Sequence, residues 1–128
     1  MKYLLDTHIM LWAEFDSKRL SRRAKSILEN PENVLYFSPI SLWEISTKHR
    51  KHPDLMPVTS ECARDMALKM GFIELPVRSR HGVGIAKLPG IHNDPFDRML
   101  ITQARSDGLK LVSHDDKVIA YGDSIVKV

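Results

Sequence analysis

Five carboxylates fall where solubility alone does not call for them. Asp6 follows the apolar run Tyr3-Leu4-Leu5, and apolar residues resume at once with Ile9, Met10, Leu11 and Trp12. Asp115 follows a second apolar run in LKLVSHDD. Glu44 lies in SPISLWEIS between Trp43 and Ile45, a charge among apolar neighbours. HNDPFDR adds Asp94 and Asp97 on either side of Pro95. If a fold gathers such groups, they have a chemistry. Two carboxylates ~5 Å apart repel by ~3 kcal/mol at an effective dielectric of about 20. A cluster of three or four therefore keeps some of its protons or encloses a cation. Hard oxygen donors without a thiolate favour Mg²⁺ or Mn²⁺. Ions of this kind activate water and steady the leaving oxygen in phosphodiester hydrolysis.

Each acid also has an ordinary role to set against that one. With Pro95 at the first helical position, Asp94 becomes the N-cap and Asp97 a first-turn acid, each stabilising a helix by about 1 kcal/mol. Asp6 can cap the helix that follows it, Asp115 with its neighbour Asp116 can sit in a turn, and Glu44 can lie on an exposed helix face. Asp97 comes shortly before Leu100 and Ile101, so it borders a buried stripe.

The elements that must position these groups alternate. Residues 2–5 read as a strand, 8–15 and about 20–29 as helices, and 34–37 as a β-branched and aromatic strand. Ser38-Pro39 opens a helix through about Lys48. KHPDLMP is a loop. Thr59 or Ser60 caps a helix ending at Gly71, and residues 72–77 form a strand. Residues 79–88 read as a short helix weakened by Gly82 and Gly84. LPGIHNDP is a loop, 95–108 a helix, 109–113 a strand, 115–120 a helical turn and 124–128 a last strand. This order predicts one α/β domain over residues 1–128, with a mainly parallel sheet covered on both faces. Sites in such sheets lie at the carboxyl ends of the strands, where Asp6 and Asp115 fall.

The charge is +3 and the isoelectric point about 9.1, with basic residues in three stretches. These are Lys18 to Lys25, Lys48 to His52, and Arg78 to His81, each a solvated face or a surface for a polyanion. The single cysteine, Cys62, excludes an intramolecular disulfide and reads as a small buried hydrophobe. No apolar run approaches the ~20 residues of a membrane span, and no leader is visible, so the cytoplasm is expected. The scattered histidines form no zinc-ligand pattern. Leu5-Asp6-Thr7 lacks the second Asp that an aspartyl-phosphate phosphatase needs, since His8 stands there. Trp12, Phe15 and Trp43 are expected to pack in the core, or else to line a groove for an amphipathic helix.

LLDTHIMLW, SPISLWEI, HNDPFDRMLITQA and LVSHDDKVIAYG, in that order, resemble the PIN domain, most closely the VapC-type ribonuclease toxins of bacterial toxin–antitoxin pairs. The resemblance spans essentially the whole chain. It implies a three-layer α/β/α sandwich and a metal-dependent endoribonuclease. Asp6, Glu44, Asp97 and Asp115 would be the acidic Mg²⁺ or Mn²⁺ site, with Asp94 a further candidate ligand. Thr7 and Ser113 match hydroxyl positions of the family, and Arg98, directly after Asp97, can pair with a carboxylate or touch phosphate. Ser113-His114-Asp115 departs from the family's usual Thr, basic residue, Asp. The resemblance further implies cleavage of RNA by metal-activated water, a homodimer, and silencing by an antitoxin laid in the groove. Two alternatives on the same fold are a processing or structure-specific nuclease and a non-catalytic module that binds RNA or protein.

Overall fold

Leu4 and Leu5 are both fully buried, although successive side chains of a strand point to opposite faces. Both faces of β1 (Lys2–Leu5) are therefore covered, which places it inside a sheet with helices on either side. The structure, a computed structural model describing residues 1–128, contains that sheet. Its other strands are β2 (Val34–Phe37), β3 (Ile73–Glu74), β4 (Lys110–Ser113) and β5 (Ile125–Lys127), all parallel, in the order β3-β2-β1-β4-β5. Leu4 stands in register with Tyr36 on one side and Leu111 on the other. From β1 the chain winds outward to β2 and β3, then crosses back to lay β4 on the other side. The switch point lies at the carboxyl ends of β1 and β4.

Seven helices flank the sheet: α1 (Thr7–Phe15), α2 (Arg22–Glu29), α3 (Pro39–Lys51), α4 (Ser60–Lys69), α5 (Ser79–Gly84), α6 (Pro95–Asp107) and α7 (Asp116–Ile119). Leu5, Phe37 and Val112 meet Ile9, Met10, Ala63 and Ala67 in one core. Leu4 and Leu111 meet Leu100, Ile101, Ala104 and Val118 in the other. This is the expected α/β/α sandwich. Buried Gln103 of α6 ties the layers, accepting from Ser38 Oγ at 2.5 Å and donating to the Leu75 carbonyl at 3.3 Å. Gly108 ends α6 at φ +71°, where an L side chain is strained. No helix is long and apolar enough to cross a membrane.

Several expectations give way to local chemistry. Ser21 caps α2 by accepting the Ala24 N–H, so the helix starts at Arg22 and Ser17–Arg19 forms a 3₁₀ turn. Helix α3 runs past Lys48 to Lys51, where its basic last turn suits the helix dipole. β3 shrinks to two exposed residues at the sheet edge. Cys62 is exposed, because Ala63 and Ala67 take the inner face of α4. Phe15 and Trp43 are likewise exposed, and Trp43 rests edge-on against Phe96 at 5.0 Å. The third basic stretch is partly consumed by the fold. Arg80 Nη2 and His81 Nε2 both bind Asp107 Oδ1, at 2.9 and 3.0 Å. His81 Nδ1 accepts the Arg78 N–H, so the ring carries its proton on Nε2 and donates to Asp107. In the second stretch, His49 Nδ1 is bound to the Met56 carbonyl.

One buried group works against this fold. Both carboxylate oxygens of Glu14 on α1 are buried without a hydrogen-bond partner. Burial pushes the Glu14 carboxyl up from 4.5 to about 8. Between those values the unfolded chain gives up this proton and the folded chain keeps it, so stability falls as pH rises. In thermal melts, Glu14→Gln is expected to exceed the parent melting temperature at pH 8 and to lose that advantage below about 4.5.

Candidate metal centre

Asp6 leaves β1 at the N-cap position of α1, yet its side chain caps nothing. Its Oδ2 accepts instead from Ser113 Oγ at 2.6 Å, across the switch point. Ser113 Oγ in turn accepts the Asp115 N–H at 3.1 Å. One buried hydroxyl thus fastens together the ends of β1 and β4. Asp115 Oδ1 accepts the Lys117 N–H at 2.9 Å and starts α7. Glu44, in the second turn of α3, is 3% exposed. Lys48, one turn further on, binds Glu44 Oε2, while Glu44 Oε1 is buried with no partner. At the start of α6, Asp94 Oδ1 accepts the N–H groups of Phe96 and Asp97 at 2.9 and 3.1 Å. Asp97 Oδ2 accepts from His92 Nε2 at 2.8 Å.

Asp6, Glu44, Asp94, Asp97 and Asp115 line one cleft of about 680 Å³, together with Lys48 and His92. Each of the five has one oxygen held by the protein. The other oxygen has no protein hydrogen-bond partner. Within this set, ligating atoms of His92, Asp94 and Asp97 lie within 4.8 Å of one another.

The groups feel each other. Burial pushes the Asp6 carboxyl above its ordinary value, the Ser113 bond and His8 oppose this, and the charges of Glu44 and Asp115 add to it. Burial takes Asp97 to about 7, with the charge of Asp6 adding, the His92 bond opposing, and Asp94 and Glu44 adding further. Burial alone would lower the Lys48 ammonium, but the bond to Glu44 and the charges of Glu44, Asp94 and Asp97 raise it. Lys48 is thus a tethered cation at the edge of the acids. The donor set fits a hard divalent cation: carboxylate oxygens, with His92 the imidazole within 4.8 Å of Asp94 and Asp97, no thiolate, and an orphaned buried oxygen on Glu44.

Other candidate residues stand differently. Thr7 is buried, and its Oγ1 donates to Ser41 Oγ at 2.8 Å, joining α1 to α3. Arg98 pairs with no carboxylate. Its guanidinium donates to the carbonyls of Pro89 and His92 at 2.9 and 3.2 Å and to the Tyr121 hydroxyl at 3.2 Å, so it pins the loop before α6. That pinning places His92 beside Asp97. Lys48 and His92 are cleft residues that sequence reasoning did not pair with the acids. The spacing of Glu44 and Lys48, one helical turn apart, was the available signal for the first.

Lys48→Met removes the only protein cation bound to a buried carboxylate in the cleft. It is expected to lower stability by about 1–2 kcal/mol in chelator, between the values for exposed and buried pairs. Thermal melts with and without Mg²⁺ check this, with added Mg²⁺ expected to restore most of the loss.

Comparison with known proteins places this geometry. The chain matches the PIN domain over residues 3–123. It is similar to VapBC2 from Rickettsia felis, solved bound to a DNA fragment from the promoter, at 17% identity over 100% of this chain and 98% of that one, with a TM-score of 0.73. A toxin–antitoxin complex from Klebsiella pneumoniae is similar at 18% identity over 98% and 96% of the two chains, with a TM-score of 0.65. VapBC-1 from nontypeable Haemophilus influenzae is similar at 19% identity over 94% and 92%, with a TM-score of 0.62. No characterised protein with a curated description matches the chain in sequence. Identities this low speak for a common fold. The match over residues 3–123 runs from the first carboxylate of the cleft to beyond the last, and by that match the chain belongs to the PIN-domain family.

Proposed function

We propose that this chain is a divalent-cation-dependent endoribonuclease, and that it is the VapC-type toxin of a toxin–antitoxin pair. One observation carries the reading. Five carboxylates from four separate parts of the chain line one cleft, each with one oxygen free of any protein hydrogen bond, and Asp6 forgoes an available helix cap there. A fold selected for stability alone would spread such charges apart.

Asp6, Glu44, Asp97 and Asp115 would hold the ion, Mg²⁺ or Mn²⁺, with Asp94 beside them. When bound, the ion lowers the pKa of water and neutralises charge building up on the phosphate. The protein's own groups prepare the cleft. Ser113 holds Oδ2 of Asp6 and so sets where Oδ1 lies. Lys48 holds Oε2 of Glu44, leaving Oε1 free, and His92 fixes Asp97 by Oδ2. Thr7 supports the wall of the site through Ser41, and Arg98 through the loop before α6. The substrate class is RNA. The partner is a cognate antitoxin, in keeping with the similar VapBC and toxin–antitoxin structures, and the toxin acts in the cytoplasm as a homodimer of one-domain chains.

The test is cleavage of RNA by purified protein with Mg²⁺ or Mn²⁺, with chelator, and with Asp6→Asn prepared in parallel. Asp6→Asn is expected to cut the rate by at least about 100-fold, beyond what changes one shell out from a metal produce. Its melting temperature in chelator should stay level or rise, because one repelling charge has gone. A large loss of melting temperature would point instead to a structural role for Asp6.

A further inference from the structure

A second cavity, of about 400 Å³, opens beside the acidic cleft. Its floor is aliphatic, made by Ile9, Leu20, Ala24 and Val128. Trp12, Arg19 and His114 line both this cavity and the acidic cleft, so the two are contiguous. Those three side chains form one cluster around the Trp12 indole. The His114 ring meets the Trp12 indole edge-on at 4.8 Å, and the Arg19 guanidinium carbon lies 4.9 Å from its centre. His8 stands one turn before Trp12, its ring 6.1 Å from the indole.

Hydrolysis of a strand needs more than a grip on one phosphate. The flanking nucleotides must be held, and single strands are held by stacking bases on aromatic and guanidinium planes while cations track the backbone. The geometry points to the cavity beside Trp12 as the seat of a nucleobase next to the scissile phosphate of a single-stranded substrate. The inference rests on the nuclease reading above. A ring stacked on Trp12 would cover the apolar floor, with its sugar–phosphate leaving toward Asp6 and Asp115.

Arg19 occupies the indole in the free protein. An exposed cation–π contact is weaker than a base stacked on an aromatic ring, so the base displaces it. The freed guanidinium stays at the mouth, where it can meet a flanking phosphate in the bidentate manner open to Arg. Lys18, Arg22 and Arg23, exposed on the same stretch, add positive charge to the segment that carries Arg19. The first basic stretch thereby gains a role, where Arg80, His81, Lys48 and His49 are bound within the fold.

Trp43→Phe leaves Trp12 as the sole tryptophan and so as a reporter. That protein is titrated with a short single-stranded RNA in chelator, following tryptophan emission. Quenching that saturates with RNA is expected. Trp12→Leu keeps apolar bulk over the core and should weaken RNA binding, and raise KM more than it lowers kcat, by about 5- to 150-fold. Trp12→Phe should stay closer to the parent, and Arg19→Ala, at an exposed position, should also weaken binding without changing the melting temperature. Unmoved emission, or Trp12→Leu binding RNA as the parent does, would overturn the proposal. Cleavage by the parent with Mg²⁺ reports separately on the nuclease reading, since quenching in chelator needs no chemistry.

Discussion

Two buried carboxylates, Asp6 and Glu44, sharing one cleft with half-buried Asp94, Asp97 and Asp115, set the terms for everything near them. For Asp6 and Asp97, removal from water favours the neutral form, and neighbours of like charge push the same way. The protein answers with short local bonds. Ser113 takes one oxygen of Asp6, Lys48 one of Glu44, His92 one of Asp97, and backbone N–H groups take one each from Asp94 and Asp115. The answer is partial by construction, because the second oxygen of every acid stays unclaimed by protein. The unmet demand is for positive charge with oxygen-seeking habits, and that is the property a phosphodiesterase site needs before its substrate arrives.

The parallel sheet is the means of gathering these groups. Placing β1 between β2 and β4 brings together the ends of strands far apart in the chain. Helices that follow those strands start at the same edge, so their first turns point into one crevice. Capping a helix and lining the cleft then compete for the same residue types at the same places. Asp94 and Asp115 do both, spending one oxygen on a helix while the residue lines the cleft. Asp6 does not, and Asp97 and Glu44 sit inside helices where no cap is needed.

Much of this was legible in the chain itself. Asp6 and Asp115 announce themselves because a charge ends an apolar strand, and Glu44 because a charge interrupts an apolar helix face. Alternating strand and helix patterns give the sandwich. Less visible are the partners chosen by loops. Arg98 stands beside Asp97 in the chain, but the carbonyls that bind it come from a segment with no pattern of its own. The solvent exposure of Cys62, Phe15 and Trp43 was hidden for another reason. Helix periodicity marks which face is apolar, and on short helices with small residues such as Ala63 and Ala67 more than one face qualifies. The shared wall of Trp12, Arg19 and His114 was beyond reach as well, since it joins a helix, a 3₁₀ turn and a strand end that only the tertiary fold brings together.

The hydroxyl bond between Ser113 and Asp6 spans 107 positions of sequence. A ribosome delivers Asp6 107 residues before Ser113, so during synthesis β1 waits with one edge bare. Contacts of such long range form late in folding, because the intervening loop must close before they return any energy. The cleft therefore comes into being only once the chain from Asp6 through Asp115 is made and folded, and a chain that stops before β4 carries the other acids without the site.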